Sequence, residues 1–157
     1  MSFDFFFVAA TNETQAMEIV QNDCEPRAAT PAEQARMRAI IAALIEAYPG
    51  AKSGEASGGL EDGAWVEGGD LPPIDIGPKC AFFSGHPDLT DIESADRLFR
   101  ELLAVFERQG YIGFDPQEGR IATSRSFSFR PESSAPAVAP RAAAGPTRSR
   151  KPWWKFW

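Results

Sequence analysis

The sequence has little of what most small enzymes, metal sites and membrane proteins use. It contains one histidine and two cysteines among 157 residues, too few for a disulfide scaffold or a common zinc site. No apolar run approaches the ~20 residues that a helix needs to cross a bilayer. The glycine pairs at 58–59 and 68–69 are surrounded by acidic residues and lack a following Lys-Ser/Thr, so they do not form a phosphate-binding loop.

The two cysteines, Cys24 and Cys80, are expected to be reduced thiols in the cytoplasm. We recognise no secretory signal at the N-terminus, because its apolar run is short, contains Asp4 and is not preceded by Lys or Arg. Hydrophobic residues make up 43% of the chain and twelve residues are Phe, which indicates a globular domain.

The single histidine lies near other residues with chemistry of their own. Cys80, His86, Asp88 and Asp91 fall within twelve positions. Their spacing matches no common zinc pattern, and one histidine cannot serve as both metal ligand and base. We therefore expect no catalytic residue, metal or cofactor, and keep a small enzyme centred on His86 as an alternative.

Charge divides the chain into two parts. Residues 1–130 contain 11 basic and 21 acidic residues, whereas residues 131–157 contain five basic residues and one acidic residue. An acidic body repels nucleic acid and suits a basic protein partner. The sequence therefore predicts no nucleic-acid binding by the body.

Two stretches have the apolar spacing of amphipathic helices. The first begins with a capping box at Thr30 and Glu33, with Pro31 in the first turn, and ends at residues 49–50. The second is predicted to begin with a capping box of Thr90 and Glu93 and to end at Gly110. The predicted apolar stripes comprise Met37, Ile40, Ile41, Leu44, Ile45 and Tyr48 in the first, and Ile92, Ala95, Leu98, Phe99, Leu102, Leu103 and Phe106 in the second.

Extended segments alternate with these helices. Residues 3–8 are apolar on both faces, which predicts a central strand. Residues 74–76 and 80–83 predict a hairpin that its prolines place at a sheet edge. Residues 111–114 predict a strand, followed by a turn at 115–119.

Three segments have weaker patterns. Residues 11–24 predict either a short helix, begun at Asn12 or Thr14, or an irregular segment. Residues 53–59 predict a mobile loop, and residues 126–130 predict either an edge strand or a strap across the domain.

The order of elements predicts an α+β two-layer sandwich with both main helices on one face of an antiparallel sheet. A ferredoxin-like arrangement is our first choice, and an open α+β sheet with another strand order is the second. This domain is predicted to occupy residues 1–130. Residues 131–150, rich in Pro, Ala and Ser, are predicted to be a flexible linker.

Residues 151–157 form a basic, tryptophan-rich motif at the end of the chain. The motif contains Trp153, Trp154, Phe156 and Trp157 together with two lysines. Three destinations remain open for it: its own acidic domain, a partner protein, or weak contact with a membrane interface.

A second candidate binding element surrounds Trp65. The acidic residues near it are Glu61, Asp62, Glu67 and Asp70. An exposed acidic loop with an aromatic anchor suits recognition of a basic protein surface. The alternative is a solvated loop whose Trp65 is buried in the core.

The segment FDFFFVA near the start, and the helix followed by GYIGFDPQEGRI, resemble small bacterial immunity proteins of polymorphic-toxin and type VI secretion systems. The sharpest shared motif is Phe114-Asp115-Pro116-Gln117. The resemblance implies an acidic, cytoplasmic, non-enzymatic protein that blocks a toxin.

Two binding functions follow from these observations. The first is an immunity protein whose domain binds and occludes a cognate toxin. The second is an adaptor or chaperone that holds an effector or secretion component through its aromatic tail.

Overall fold

The computed structural model describes residues 5–22, 28–83 and 91–129, except for the side chain of Glu61. The elements in chain order are β1 (Phe5–Val8), α1 (Glu13–Asn22), α2 (Pro31–Ala47), β2 (Lys52–Ala56), β3 (Gly59–Gly68), β4 (Leu71–Ile76), β5 (Cys80–Phe83), α3 (Ile92–Arg108), β6 (Ile112–Asp115) and β7 (Arg120–Ala122).

The strands of the described residues form one seven-stranded sheet in the order β2-β3-β4-β5-β1-β6-β7. Every neighbouring pair is antiparallel. The predicted α+β class and antiparallel sheet are confirmed, but the sheet is larger than that of a ferredoxin-like arrangement. β1 lies between β5 and β6, which confirms that this apolar strand is internal.

The start of α2 is fixed by the predicted capping box. The Glu33 amide donates to Thr30 Oγ1 over 3.3 Å, and the Thr30 amide donates to Glu33 Oε2 over 2.9 Å. Met37, Ile40 and Leu44 from its apolar stripe are fully buried.

The start of α3 differs from the predicted capping box. Asp91 is the N-cap, and its Oδ1 accepts the Ser94 amide over 3.1 Å. Thr90 lies outside the described residues. A carboxylate one position later reaches the free amides of the first turn, so the helix begins one residue further along.

The end of α3 is confirmed at Gly110, whose φ is +79°. The Tyr111 amide donates to the Phe106 carbonyl, and the Gly110 amide donates to the Glu107 carbonyl. These two bonds are those of a Schellman motif, in which glycine takes the left-handed position without a Cβ clash.

The main core lies between one face of the sheet and the pair α2 and α3. The Phe7 ring stacks on that of Phe106 with centroids 4.0 Å apart, and the Phe5 ring meets that of Phe99 edge-on at 5.4 Å. Met37, Ile40 and Leu44 of α2 belong to the same core, which confirms that both main helices lie on one face of the sheet.

A smaller core lies on the opposite face, under α1. Of the alternatives for residues 11–24, the structure shows a short helix at Glu13–Asn22, and Asn12 Oδ1 accepts the Gln15 amide at its start. The helix packs against β1 and β7. The buried residues of this second core are Val8, Ala10, Ala16, Ile19, Val20, Cys80 and Phe114.

Two local predictions are wrong. Residues 53–59 are not a loop, because β2 and β3 form a hairpin there. The β4–β5 hairpin is internal to the sheet rather than at an edge. Its prolines are tolerated because β5 pairs only with residues 74–76 of β4. Pro72 and Pro73, which have no amide N–H, are therefore not required to donate a hydrogen bond to β5.

Residues 123–129 form the predicted strap rather than an edge strand. The amide and hydroxyl of Ser124 both donate to the Glu107 carboxylate over 2.7 Å. The Phe129 amide donates to Asp96 Oδ1 over 2.6 Å. Phe127 stacks on Phe99 with centroids 5.3 Å apart. We call residues 123–129 the C-terminal strap.

Among the described residues, no helix combines the length and apolar character needed to cross a membrane. The whole predicted linker and the whole terminal motif, including Trp153, Trp154, Phe156 and Trp157, lie outside the described residues.

Candidate protein-binding surface on the sheet

One row of paired residues crosses the whole sheet on the face that carries α1. Directly paired residues in antiparallel strands point to the same face, so the row can be read from the register. Its members, from β2 to β7, are Gly54, Trp65, Asp75, Phe82, Phe6, Phe114 and Ile121.

The helix α1 covers only one end of this row. Phe114 is fully buried in the core beneath α1, whereas Phe6 and Phe82 are only partly buried. Their rings are in contact, with centroids 5.0 Å apart. Trp65, further along the row, is 37% exposed. Aromatic surface therefore continues from the second core towards the β2 edge.

A groove of about 440 Å³ opens along this exposed part of the row. We call it the Trp65 groove, and define it by the lining residues Phe6, Asp62, Trp65, Asp75, Pro78 and Phe82. Its volume is in the range of ligand-binding pockets. Its walls combine aromatic rings with carboxylates.

The indole of Trp65 lies flat against Gly54 of the neighbouring strand. A Cβ on residue 54 would lie 2.7 Å from the indole Nε1, which is too close for any side chain. The absence of a side chain at Gly54 therefore leaves room for the ring on the sheet, where Trp65 is still 37% exposed. A large ring held rigidly at a surface suits binding, because little conformational entropy remains to be lost.

Carboxylates form the rim of the groove. Asp62 and Asp75 are both exposed and line it. Glu67 lies two residues after Trp65 on β3, hence on the same face, and it is paired in register with Lys52. The rim is therefore predominantly acidic, with one lysine at its β2 edge.

The predicted acidic residues around Trp65 do not all converge on the groove. Asp62 lines it, and Glu67 extends its rim along β3. Asp70 lies in the turn between β3 and β4 and does not line it. Glu61 belongs to β3, but its side chain lies outside the described residues. Of the two predicted environments for Trp65, the exposed one is confirmed, although on a strand rather than a loop.

Sequence reasoning missed Phe6, Phe82 and Asp75 as parts of this surface. The alternation of Ile74, Asp75 and Ile76 does indicate that Asp75 points away from the core. What the sequence lacks is the strand order that places Asp75 between Trp65 and Phe82.

Half of the cluster around His86 falls in a stretch that the structure does not describe. His86 and Asp88 lie outside the described residues, and Asp91 caps α3. Its hydrogen bond with Ser94 lowers the pKa of the Asp91 carboxyl. In the described part of the chain, no group of three potential ligands could hold a metal ion.

Cys80 is disulfide-bonded, so the predicted reduced thiol is wrong at this position. Its side chain lies in the second core, where only 7% of the residue is exposed. Cys24, the other cysteine of the chain, lies outside the described residues. A disulfide is typical of oxidising compartments rather than the cytoplasm.

A second depression, of about 460 Å³, follows the outer face of α3. Its lining contains both acidic and basic side chains, among them Glu93, Arg97, Arg100 and Glu101. Such mixed charges are typical of a solvated helix face, and they offer no aromatic anchor.

No protein-family model matches the chain, and neither the curated proteins nor the solved structures compared with it include a match.

Proposed function

We propose that this protein is an immunity-type binding protein, which neutralises a cognate antibacterial toxin by binding and occluding it. The observation that carries the proposal is the Trp65 groove, where an exposed, rigidly seated tryptophan lies between carboxylates. Protein-binding hot spots are enriched in tryptophan, and complementary charge accelerates association with a basic partner.

The magnitude of the expected contribution follows from the exposed area. About a third of the Trp65 side chain, roughly 80 Å², remains available for burial by a partner. At ~25 cal/mol/Å² this corresponds to ~2 kcal/mol, or a factor of about 30 in affinity. Trp65 alone therefore has the energetic weight of a hot-spot residue.

The test uses the product of the neighbouring reading frame as the candidate toxin. Trp65→Ala should weaken binding about 30-fold and reduce the protection of cells that express the toxin. Ile45→Ala is the matched control, because Ile45 is a large apolar residue with 40% exposure on α2, on the other face of the sheet. Full protection by the Trp65→Ala protein would contradict the proposal.

The acidic rim gives a second measurement. A double variant, Asp62→Asn with Asp75→Asn, should slow association and make it less sensitive to salt. Glu118→Gln, in the exposed β6–β7 turn, changes a remote carboxylate and should leave the rate unchanged. If the wild type, the double variant and Glu118→Gln associate at equal rates, the acidic rim does not steer association, and this part of the proposal is wrong.

The adaptor alternative predicts a different pattern. Deleting residues 131–157 should abolish effector binding if the tail holds the effector, whereas neutralisation by the domain should survive that deletion.

Cytoplasmic localisation stays a prediction, and the disulfide at Cys80 favours an oxidising compartment instead.

The scaffold is also open to a finer interpretation. We infer that β4, β5, β1 and β6, with α2 and α3, form a ferredoxin-like βαββαβ unit, since they are adjacent in that order. The β2–β3 hairpin would then be an addition at one edge, and it is this hairpin that carries Trp65.

A further inference from the structure

We propose that the terminal motif, residues 151–157, is an intramolecular ligand of the Trp65 groove. This inference stands independently of the proposed function. It assigns an occupant to the groove and implies that any partner binding there must displace it.

The chemistry of the groove matches that of the terminal motif. Phe6, Phe82 and Trp65 offer partly exposed rings, and rings of this kind pack favourably edge-to-face or offset-stacked on other aromatic rings. Asp62 and Asp75 add negative charge at the rim. The motif supplies three tryptophans and one phenylalanine, together with Lys151 and Lys155. Aromatic rings can therefore enter the groove while ammonium groups meet its carboxylates.

The overall charge distribution favours the same contact. Residues 1–130 have a net charge of −10, whereas residues 131–157 have a net charge of +4. The basic end of the chain is attracted to the acidic domain, and the groove combines that charge with exposed aromatic surface.

The chain between the domain and the motif is long enough. The described chain ends at Phe129, which packs on α3, on the opposite side of the sheet from the groove. Residues 130–150 would span roughly 25 Å as a flexible coil and about 70 Å when extended. A domain of this size has a radius of gyration of about 14 Å, so the motif can pass the sheet edge and reach the groove.

Tethering makes the contact effective even if its intrinsic affinity is weak. A short flexible connection gives an effective concentration on the order of 1 mM. A free partner must therefore compete with a ligand that is always present.

The first experiment measures hydroxyl-radical oxidation of Trp65 in the full-length protein by mass spectrometry. A triple variant, Trp153→Ala with Trp154→Ala and Trp157→Ala, changes only residues outside the described domain. Trp65 should be oxidised several-fold more in the triple variant than in the wild type. Equal oxidation of Trp65 in the two proteins would overturn the proposal.

The second experiment identifies the site of contact by zero-length carbodiimide cross-linking of the full-length protein. Lys151 and Lys155 should link to Asp62, Asp75 or Glu67 within one chain, at a yield that does not depend on protein concentration. Trp65→Ala should lower this yield several-fold, whereas Ile45→Ala should not. If Trp65→Ala impairs folding, the oxidation experiment still decides the question.

Two other outcomes would also overturn the proposal. Cross-links between chains that increase with concentration would assign the groove to a second copy. A motif that binds phosphatidylcholine–phosphatidylglycerol vesicles, while Trp65 is equally oxidised with and without the vesicles and in the triple variant, would be a membrane ligand instead.

Discussion

At the scale of single residues, Gly113 shows how closely β6 approaches the main core. A Cβ at this position would lie 2.5 Å from a Leu103 methyl, 2.7 Å from the Phe5 ring and 3.0 Å from the Ala122 carbonyl oxygen. These neighbours belong to three different elements and none can move freely. Glycine is therefore required by the packing rather than by its backbone angles.

Gly113→Ala should lower the free energy of unfolding by about 1–3 kcal/mol, because the added methyl overpacks the core. Chemical denaturation measures the change. Gly58→Ala is the control, since there the new Cβ meets only the Asp62 carboxylate, which can rotate away. A loss at Gly58 as large as that at Gly113 would contradict this explanation.

The two buried tyrosines differ in whether their hydroxyl groups form a hydrogen bond. The Tyr111 hydroxyl donates to the Pro78 carbonyl over 3.2 Å. The Tyr48 hydroxyl is buried near the Glu101 carboxylate, but among the described residues no partner meets the geometry of a hydrogen bond. Burial, reinforced by the negative charge of Glu101, raises the pKa of Tyr48 well above its usual value of 10.0. Burial likewise raises the pKa of Tyr111.

Tyr48→Phe should leave stability at neutral pH unchanged or increase it by up to ~1 kcal/mol, because it removes an unsatisfied buried group. Tyr111→Phe should instead cost ~1 kcal/mol, because it removes a formed bond. Urea titrations at pH 7 compare the two. A larger loss for Tyr48→Phe than for Tyr111→Phe would show that the Tyr48 hydroxyl is satisfied.

The same tyrosines should make the folded state less stable at alkaline pH. A pKa that is higher in the folded state than in the unfolded state means that the unfolded chain releases its proton first. Stability is therefore intact below about pH 10 and falls as the pH rises above it. Tyr48→Phe should make this decline shallower, which thermal unfolding between pH 8 and pH 11 can measure.

At the scale of elements, the C-terminal strap depends on two carboxylates of α3. Glu107 accepts two bonds from Ser124, and Asp96 accepts bonds from the Phe129 amide and the Ser128 hydroxyl. Phe127 and Phe129 pack on Phe99 between these points. The helix thus holds an irregular segment that has no strand partner in the described sheet.

Glu107→Ala with Asp96→Ala should increase amide hydrogen exchange at Ser124 and Phe129 by about tenfold or more, corresponding to ~1.4 kcal/mol of lost protection. Amides within α3 should exchange as before. Glu118→Ala, on the exposed β6–β7 turn, is the control. Unchanged exchange in the double variant would show that the phenylalanines alone hold the strap.

At the scale of the whole molecule, two cores lie on opposite faces of one sheet, and α1 closes only part of the second. Cys80 lies in that second core and its sulfur is oxidised in the disulfide. Cross-linking of a buried position stabilises the fold mainly by restricting the unfolded chain.

The disulfide predicts that Cys80 resists alkylation in denaturant unless a reductant is added. Mass spectrometry of the protein with and without reductant measures this directly. Reduction should also lower the melting temperature, because the unfolded chain regains freedom. Complete alkylation of the non-reduced protein would show that Cys80 is a free thiol, as the sequence predicts.

The sequence determined the features that depend on neighbouring residues. The Thr30–Glu33 capping box, the Gly110 terminus of α3, the turn at 115–119 and the internal position of β1 each follow from local hydrogen bonds or from apolar patterning. The sequence predicted either an edge strand or a strap for residues 126–130. The alternation of Phe127 and Phe129 with polar residues fits both, so it could not decide between them.

Only the tertiary structure decided how the strands are ordered, and therefore which side chains meet. Gly54, Trp65, Asp75, Phe82 and Phe6 come from five strands, and no local pattern connects them. Their contact depends on long-range pairing, in which the whole buried surface selects one register over its alternatives. Long-range pairing also determines that β4, with its prolines, lies inside the sheet. It likewise determines that the segment expected as an acidic loop is part of the β2–β3 hairpin, on which Trp65 is exposed.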